Sequence, residues 1–367
     1  VQRRLWFVQL VLSGLYLLAW SLAGIGPLSE WMTSPGSFFS RTSWPIDVLG
    51  VALIVIGPYW LATLPLDFHS GYRLPHRFGL STQTIRGWIT DQIKMLLVGA
   101  ALGIPLLVGL YALIRTQPQW WLLAGLAYSL VTVVLATLAP VLLMPLFFTL
   151  KPLQEDRPDL VQRLTTLAQH SGTSIEGVYS IDMSRRTRAA NAALTGLLGT
   201  RRVLLGDTLL DNFEDDQIEA VLAHELAHHV HHDIPLSILI QTAFNLATFG
   251  LGTAMLQSLA LPLGLAGSDD PAGLPLLAIA FGLAGLLTMP LSNAYSRWRE
   301  RLADDFALAT IEQPQAFAGA MTLLADQNLA EADPDRWVVL LLYSHPPLAE
   351  RIARAAEFQV SNQKEPW

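Results

Sequence analysis

Six stretches of this sequence are apolar for long enough to cross a lipid bilayer, and nothing else in it constrains the fold as strongly. Residues 5–26 carry no charge, and comparable runs lie at about 48–66, 93–114, 120–148, 236–262 and 273–293. A helix needs about 20 such residues to cross a hydrocarbon layer of about 30 Å. Apolar residues make up 52% of the chain and charged residues only 14%, against about 25% charged in an ordinary soluble domain. The first run follows Arg3 and Arg4, as a signal peptide would. It is too long for the core of one and no small-residue cleavage site follows, so it reads as a retained span. The start at Val1, with no methionine, fits a few residues having been trimmed. Pro140 and Pro145 predict a kink or an end late in the fourth run. Trp20, Tyr59, Trp60, Trp88, Trp120 and Trp121 stand near run ends, where aromatic side chains anchor helices at the interface.

Composition changes at Lys151. From there to about Pro235 the chain reads as a water-exposed α+β segment. Residues 158–170 have the apolar spacing of an amphipathic helix, and 178–181 and 202–205 read as short strands beside Gly177 and Gly206. The small and polar stretch between them, 184–200, fits a strand or loop at the rim of a site. Residues 294–367 are charged and helical. The expected organisation is a membrane region over 1–150, a catalytic segment over 151–235, two further spans over 236–293, and a C-terminal part of the catalytic domain over 294–367. Basic residues test the topology. With the N-terminus inside, the inner segments hold Arg3, Arg4, Arg73, Arg77, Arg86, the arginine-rich 151–235 region and the tail; the outer loops hold only Arg41 and Arg115. That bias puts 151–235 on the cytoplasmic side.

Five of the nine histidines fall between positions 224 and 232, and His224-Glu225-Leu226-Ala227-His228 is an H-E-x-x-H pattern. Residues four apart share a helix face, so His224 and His228 can aim at one cation, with Glu225 beside them to act on a water there. Asp211 or Asn212 is positioned to cap this helix, and Ile218, Val221 and Leu222 form its apolar stripe. The chain has no cysteine, so any metal must be held by histidine and carboxylate. Zn2+ is the first expectation. The net charge of −7 offers no basic field for nucleic acid.

A zinc hydrolase needs a third protein ligand. Glu300 and Asp304, four apart just past the sixth run, are the candidates; one can bind metal while the other orients a ligand histidine. The competing reading of this stretch is a charged helix at the membrane surface with a ladder of Arg and Glu.

HELAH at 224–228, SRWRERLAD at 296–304 and YSHPPLAERI at 343–352 resemble, in order and rough spacing, the CAAX prenyl protease 1 family of integral-membrane zinc metalloproteases. Residues 64–94 and 188–210 are similar to the same family, as a bacterial member. The resemblance implies a mainly α membrane protein of about six transmembrane helices with a small cytoplasmic α+β zinc metallopeptidase domain. It implies one Zn2+ on His224, His228 and Glu300, Glu225 as general base, Asp304 behind the ligands, and His345 stabilising the tetrahedral intermediate. It also implies that Arg351 lies on the substrate side and that Asn191, on an edge strand, pairs with the substrate backbone. Eukaryotic members have Asn-Ala-Tyr where this chain has Asn191-Ala192-Ala193, a seventh span, and a longer insert before the histidine helix. A large intramembrane chamber is a further implication, with Gln92, Gln241, Asn245 and Asn293 as candidate lining, although ordinary interhelical hydrogen bonds are the preferred explanation of such residues.

The expected function is therefore a membrane-embedded endopeptidase of a bacterial inner membrane, its site facing the cytoplasm. Its substrates would be membrane-associated peptides or proteins, prenylated or misfolded. The rivals are a membrane protein that holds metal as cargo and a catalytically silent peptide binder. A transporter should place ionisable residues within its spans, and these runs are nearly free of them. Nothing in the sequence fixes an oligomeric state.

Overall fold

The computed structural model describes residues 2–196, 201–331 and 333–364. Six helices are long and apolar enough to span a membrane: Gln2–Thr33, Trp44–Arg77, Ile85–Thr116, Trp120–Pro140, Asp233–Leu259 and Pro271–Ile311. Their number matches the six runs of the sequence. Their lengths do not, because several helices outrun their apolar parts. The sixth is the clearest case: a helix covers Leu274–Ile311, so the charged stretch after 293 continues the span and is no separate element. Arginine and glutamate are good helix formers and give the helix no reason to stop where hydrocarbon would end. The fourth span stops at Leu142, before a short helix at Met144–Phe147, in keeping with its prolines.

The chain divides into two compact units. The first comprises residues 1–74, 85–132 and 239–288. Its interior is apolar, with Ile25, Val51, Tyr111, Leu256 and Leu277 at most 2% exposed. Its outside is apolar too: Leu22, Leu53, Leu239 and Leu287 are 69%, 73%, 67% and 72% exposed. A surface of this kind is tolerable against lipid and costly against water. Few polar groups interrupt the interior, and most of these pair; the buried hydroxyl of Ser21 is an exception. Gln241 donates to Asn245 (3.0 Å), which donates to Ser129 (2.9 Å). Asp270 accepts from Ser29 and from the amides of Ala266 and Ala272. Asn245 is thus tied to a neighbouring helix by an ordinary hydrogen bond, and Gln241 bonds to it from one turn away on its own helix.

The second unit comprises residues 75–84, 133–238 and 289–367. Four strands, β1 (Leu150–Pro152), β2 (Gly177–Ile181), β3 (Ala192–Thr195) and β4 (Arg202–Gly206), form one sheet in the order β1-β2-β4-β3. β2 and β4 run parallel, with Val178 opposite Val203; the two outer pairings are antiparallel. β4 is central, and Val203, Leu204 and Leu205 are at most 1% exposed, which is why this strand reads as a continuous apolar run. β3 is an edge strand and half-buried throughout. The short β1 carries no pattern of its own and is recognisable only by its partner.

The histidine helix runs Asp215–Val230. Its cap is Glu214, paired in a capping box with Gln217, and neither Asp211 nor Asn212 serves. Those two are occupied by the preceding helical turn, Asp207–Leu210: Asp211 closes it and the Asn212 amide donates to the Thr208 carbonyl at 2.7 Å. Ile218, Val221 and Leu222 are buried as their spacing implies, in a core shared with Leu164, Leu205, Leu209 and Phe317. Leu164, on the helix Pro158–His170, is fully buried there. Leu164→Ala should cost about 2–5 kcal/mol of unfolding free energy, while the exposed Gln162→Ala should stay within about 0.5 kcal/mol. Thermal melts of the two variants would separate these outcomes.

Candidate metal centre

Two segments far apart in sequence meet at the face of the histidine helix. His224 and His228 stand one turn apart on it, their rings 5.1 Å apart and nearly perpendicular. Glu300 comes from the helix Leu274–Ile311. One atom from each of these three residues lies within 4.8 Å of the other two, the only such trio of His, Asp or Glu among the described residues. Nε2 of His224 is 3.2 Å from Oε2 of Glu300, and Nε2 of His228 is 3.6 Å from Oε1.

The far side of each ring explains why these atoms face one another. Nδ1 of His224 is 2.9 Å from Oδ1 of Asp304, and Nδ1 of His228 is 2.7 Å from Oδ2 of Asp233. An imidazole that donates Nδ1–H to a carboxylate presents a bare lone pair at Nε2. Two such lone pairs and a carboxylate then converge with no hydrogen between them. Oε2 of Glu300 is buried and makes no hydrogen bond, although His224 is close by. A cation is what this donor set lacks, and nitrogen and carboxylate donors in a group of three suit a divalent one. Burial disfavours charge on His224, but the Asp304 and Glu300 carboxylates against its ring outweigh that and lift its pKa to about 9, so the site attracts positive charge.

Each carboxylate behind a histidine is itself gripped by an arginine. Arg351 meets Asp304 through Nε (2.9 Å) and through its terminal nitrogen (2.6 Å), and Arg299 pairs with Asp233. Arg351 also stands 3.2 Å from Nδ1 of His224, but two donors face each other there, so Asp304 remains the partner of that ring. Arg351 lines the cavity described below, yet its guanidinium fork is engaged with Asp304. Neither Asp233 nor Arg299 was marked by the motifs. The available signal was an acidic residue at the end of the run HELAHHVHHD, but bringing it back to His228 takes a turn that sequence spacing does not reveal. His232 supplies it. Its φ of 54° ends the helix in the left-handed region and reverses the chain, so that Asp233 reaches a ring five residues earlier. His229 and His231 lie outside the trio; the ring of His231 packs edge-on against Phe306.

A cavity of about 530 Å³ opens onto the trio. Glu225 lines it, as do His224, Glu300, Asn191, His345 and Arg351. Burial raises the carboxyl of Glu225, against the opposing pull of the two histidines when they are charged. A carboxylate raised toward neutrality is suited to take up and release a proton. His345 is 61% exposed at its side chain, with Nε2 at 3.4 Å from Oε1 of Glu300. The expected ligands and Asp304 thus meet at the trio, and Glu225, Asn191, His345 and Arg351 line the cavity beside it; the chamber candidates Gln92, Gln241, Asn245 and Asn293 do not line it.

The sequence profile of peptidase family M48 matches residues 154–359. The chain belongs to that family. The profile described as the CAAX prenyl protease N-terminal region, with five membrane helices, matches residues 2–149, where this M48 chain has four of its apolar helices. It is 31% identical over 300 residues to "uncharacterized metalloprotease YhfN" of Bacillus subtilis, covering 80% of this chain and 70% of that one. It is also 31% identical over 312 residues to "CAAX prenyl protease 1" of Saccharomyces cerevisiae, covering 80% and 68%. The crystal structure of S. mikatae Ste24p superposes with a TM-score of 0.82 at 25% identity, covering 96% of this chain and 87% of that one. The protein is an integral-membrane metalloprotease with a small sheet-containing catalytic part.

The Asp233 contact can be tested on metal binding alone. Asp233→Asn keeps the shape of the side chain and removes the charge that holds the His228 ring. Metal affinity should fall about 10–100-fold, measured by competition with a calibrated chelator. An unchanged affinity would leave that contact without a role in the centre.

Proposed function

We propose that this M48 metalloprotease is a zinc endopeptidase in which His224, His228 and Glu300 hold one Zn2+. The observation that carries this reading is the convergence of Nε2 of His224 and Nε2 of His228 on the buried Glu300 carboxylate, whose Oε2 has no hydrogen-bond partner. Zn2+ there would supply Lewis acidity, polarising the scissile carbonyl and making water a nucleophile at neutral pH. The remaining work falls to the chain's own groups. Glu225 takes a proton from the attacking water as the new C–O bond forms. It returns that proton to the amide nitrogen as the C–N bond breaks, and its raised carboxyl favours both transfers. His345, exposed beside Glu300, donates to the developing oxyanion. Asp304 and Asp233 fix the ligand rings, and Arg351 holds Asp304 in place.

The substrate reading rests on the sheet. β3 is the edge strand, and Asn191 and Ala192 at its start line the cavity. A peptide laid along that edge in extended form would gain main-chain hydrogen bonds while its scissile bond faced the trio. Asn191 would pair with it, and Ala193, where relatives carry an aromatic residue, leaves room for varied side chains. We assign membrane-associated peptides or proteins as the substrate class, with prenylated and misfolded ones as its members. The relative named CAAX prenyl protease 1 and the spans of this chain support that choice. The bacterial relative and the concentration of arginine in 151–235 support an inner-membrane location with the site toward the cytoplasm.

Purified protein should carry one zinc per chain and cleave a fluorogenic peptide. Glu225→Gln should keep the zinc and lose about 10²–10⁴-fold in turnover. Equal turnover in the two proteins would remove Glu225 from the mechanism. Zinc-loaded wild type that cleaves no peptide would support binding without hydrolysis. His345→Ala should lower kcat by about 10²–10³-fold with little change in KM; a change confined to KM would place His345 in substrate binding alone.

A further inference from the structure

Within the second unit, the seven-residue helix Arg336–Leu342 has one apolar side too many. Val338 points inward and is fully buried. Trp337, Leu340 and Leu341, spaced i, i+3 and i+4, share another face and are 52%, 57% and 37% exposed. Among the described residues nothing covers this face, and water is a poor neighbour for a tryptophan and two leucines side by side.

What does cover it follows from where the helix is tied. The amide of Asn293 donates to the carbonyl of Leu341 at 2.7 Å. The buried guanidinium of Arg297 donates to the carbonyls of Val339 (2.8 Å) and Tyr343, closing the end of the short helix. Both donors stand on the long helix Leu274–Ile311, directly after its apolar run. The eighteen residues Leu274–Leu291 rise about 27 Å, close to the hydrocarbon thickness. Asn293 and Arg297 follow about 3 and 9 Å further on, a distance that falls in the headgroup zone. Trp298, 49% exposed beside Arg297, marks the same level with an interfacial aromatic residue.

We infer that the Trp337–Leu341 face is seated in the bilayer interface, as a second membrane contact of the catalytic unit that is separate from the spans. The occupant is the boundary between headgroups and acyl chains, reached by apolar insertion. Charge argues for insertion and against attraction to anionic lipid. The approach to the helix carries exposed Glu331, Asp333 and Asp335, with Arg336 as the one cation. The helix ends at Leu342, and the chain continues into Tyr343, Ser344 and His345, which line the cavity together with Leu342. Its seat in the interface therefore sets the height of one cavity wall above the membrane.

The absence of native cysteine makes the test direct. Single variants Trp337→Cys, Leu340→Cys and Asp333→Cys of the full chain are spin-labelled and reconstituted in phosphatidylcholine vesicles. Collision with oxygen, which partitions into lipid, is compared with collision with a water-soluble nickel chelate. Labels at 337 and 340 should show a ratio of oxygen to nickel several-fold above that at 333, and the difference should persist in high salt. Equal ratios at the three positions would overturn the inference. So would labels at 337 and 340 that are shielded from both reagents and broadened by one another on full labelling, because that result means a second copy covers the face. Two independent positions keep the outcome readable if one variant fails to fold, and neither reading depends on turnover or on zinc.

Discussion

Two carboxylates hold the rest of the catalytic unit to its purpose. Asp304 and Asp233 take the Nδ1 protons of His224 and His228, and each is locked in turn by an arginine, Arg351 or Arg299. The geometry of the trio is a consequence of these two chains of contacts. Without them an imidazole can rotate, and the tautomer that offers Nε2 has no advantage. The arrangement is also stiff for an energetic reason. Asp304 is 1% exposed, so removing its partner would strand a buried charge at a cost of about 3–5 kcal/mol. A group that is expensive to disturb is a good reference point for a ligand that must be held within a few tenths of an ångström.

The two braces draw on one helix more than on any other. The helix Leu274–Ile311 supplies Glu300 to the trio, Asp304 to one brace and Arg299 to the other. Residues 299, 300 and 304 cover about a third of the helix circumference, the sector turned toward the histidine helix. Arg297, on a neighbouring sector, is spent on the carbonyls that end the helix before His345. This is why the arginine and glutamate ladder after the sixth run does not serve as a solvated surface. Arg297, Glu300 and Asp304 are nearly buried, and each charge has a specific assignment.

How much of this was legible in the sequence depended on distance along the chain. The spans, the helix Pro158–His170, the strand Arg202–Gly206 and the His224–His228 pair declare themselves through local periodicity or spacing. Glu300 and Asp304 were legible as alternatives, because spacing puts both on one face but cannot say which of them meets the cation; the positions at 3.2 Å from Nε2 and 2.9 Å from Nδ1 of the same ring separate their parts. Asp233 was not legible. Its partnership with His228 depends on a left-handed backbone at His232, a residue type for which that conformation is uncommon and which no turn signature marks. The capping residue was misread for a related reason. Asp211 and Asn212 are good caps by type, but a preceding turn had already claimed them, and Glu214 with Gln217 formed a box from residues of weaker preference.

A helix that passes without a break from the apolar run to the metal trio also decides what the membrane can do for the chemistry. Glu300 lies nine residues beyond Leu291, which is about 14 Å along the helix axis. The trio is therefore joined to the end of the apolar run by unbroken helix. For a substrate anchored in the same bilayer, as proposed, part of the entropy of positioning is lost before it binds. The edge strand β3 then has less to accomplish than in a soluble protease. On the proposed substrate reading, a few main-chain hydrogen bonds at Asn191 and Ala192 would set the register of an already localised chain. The short, half-buried β3, a poor docking strand for a freely diffusing peptide, suits one that is delivered by the membrane.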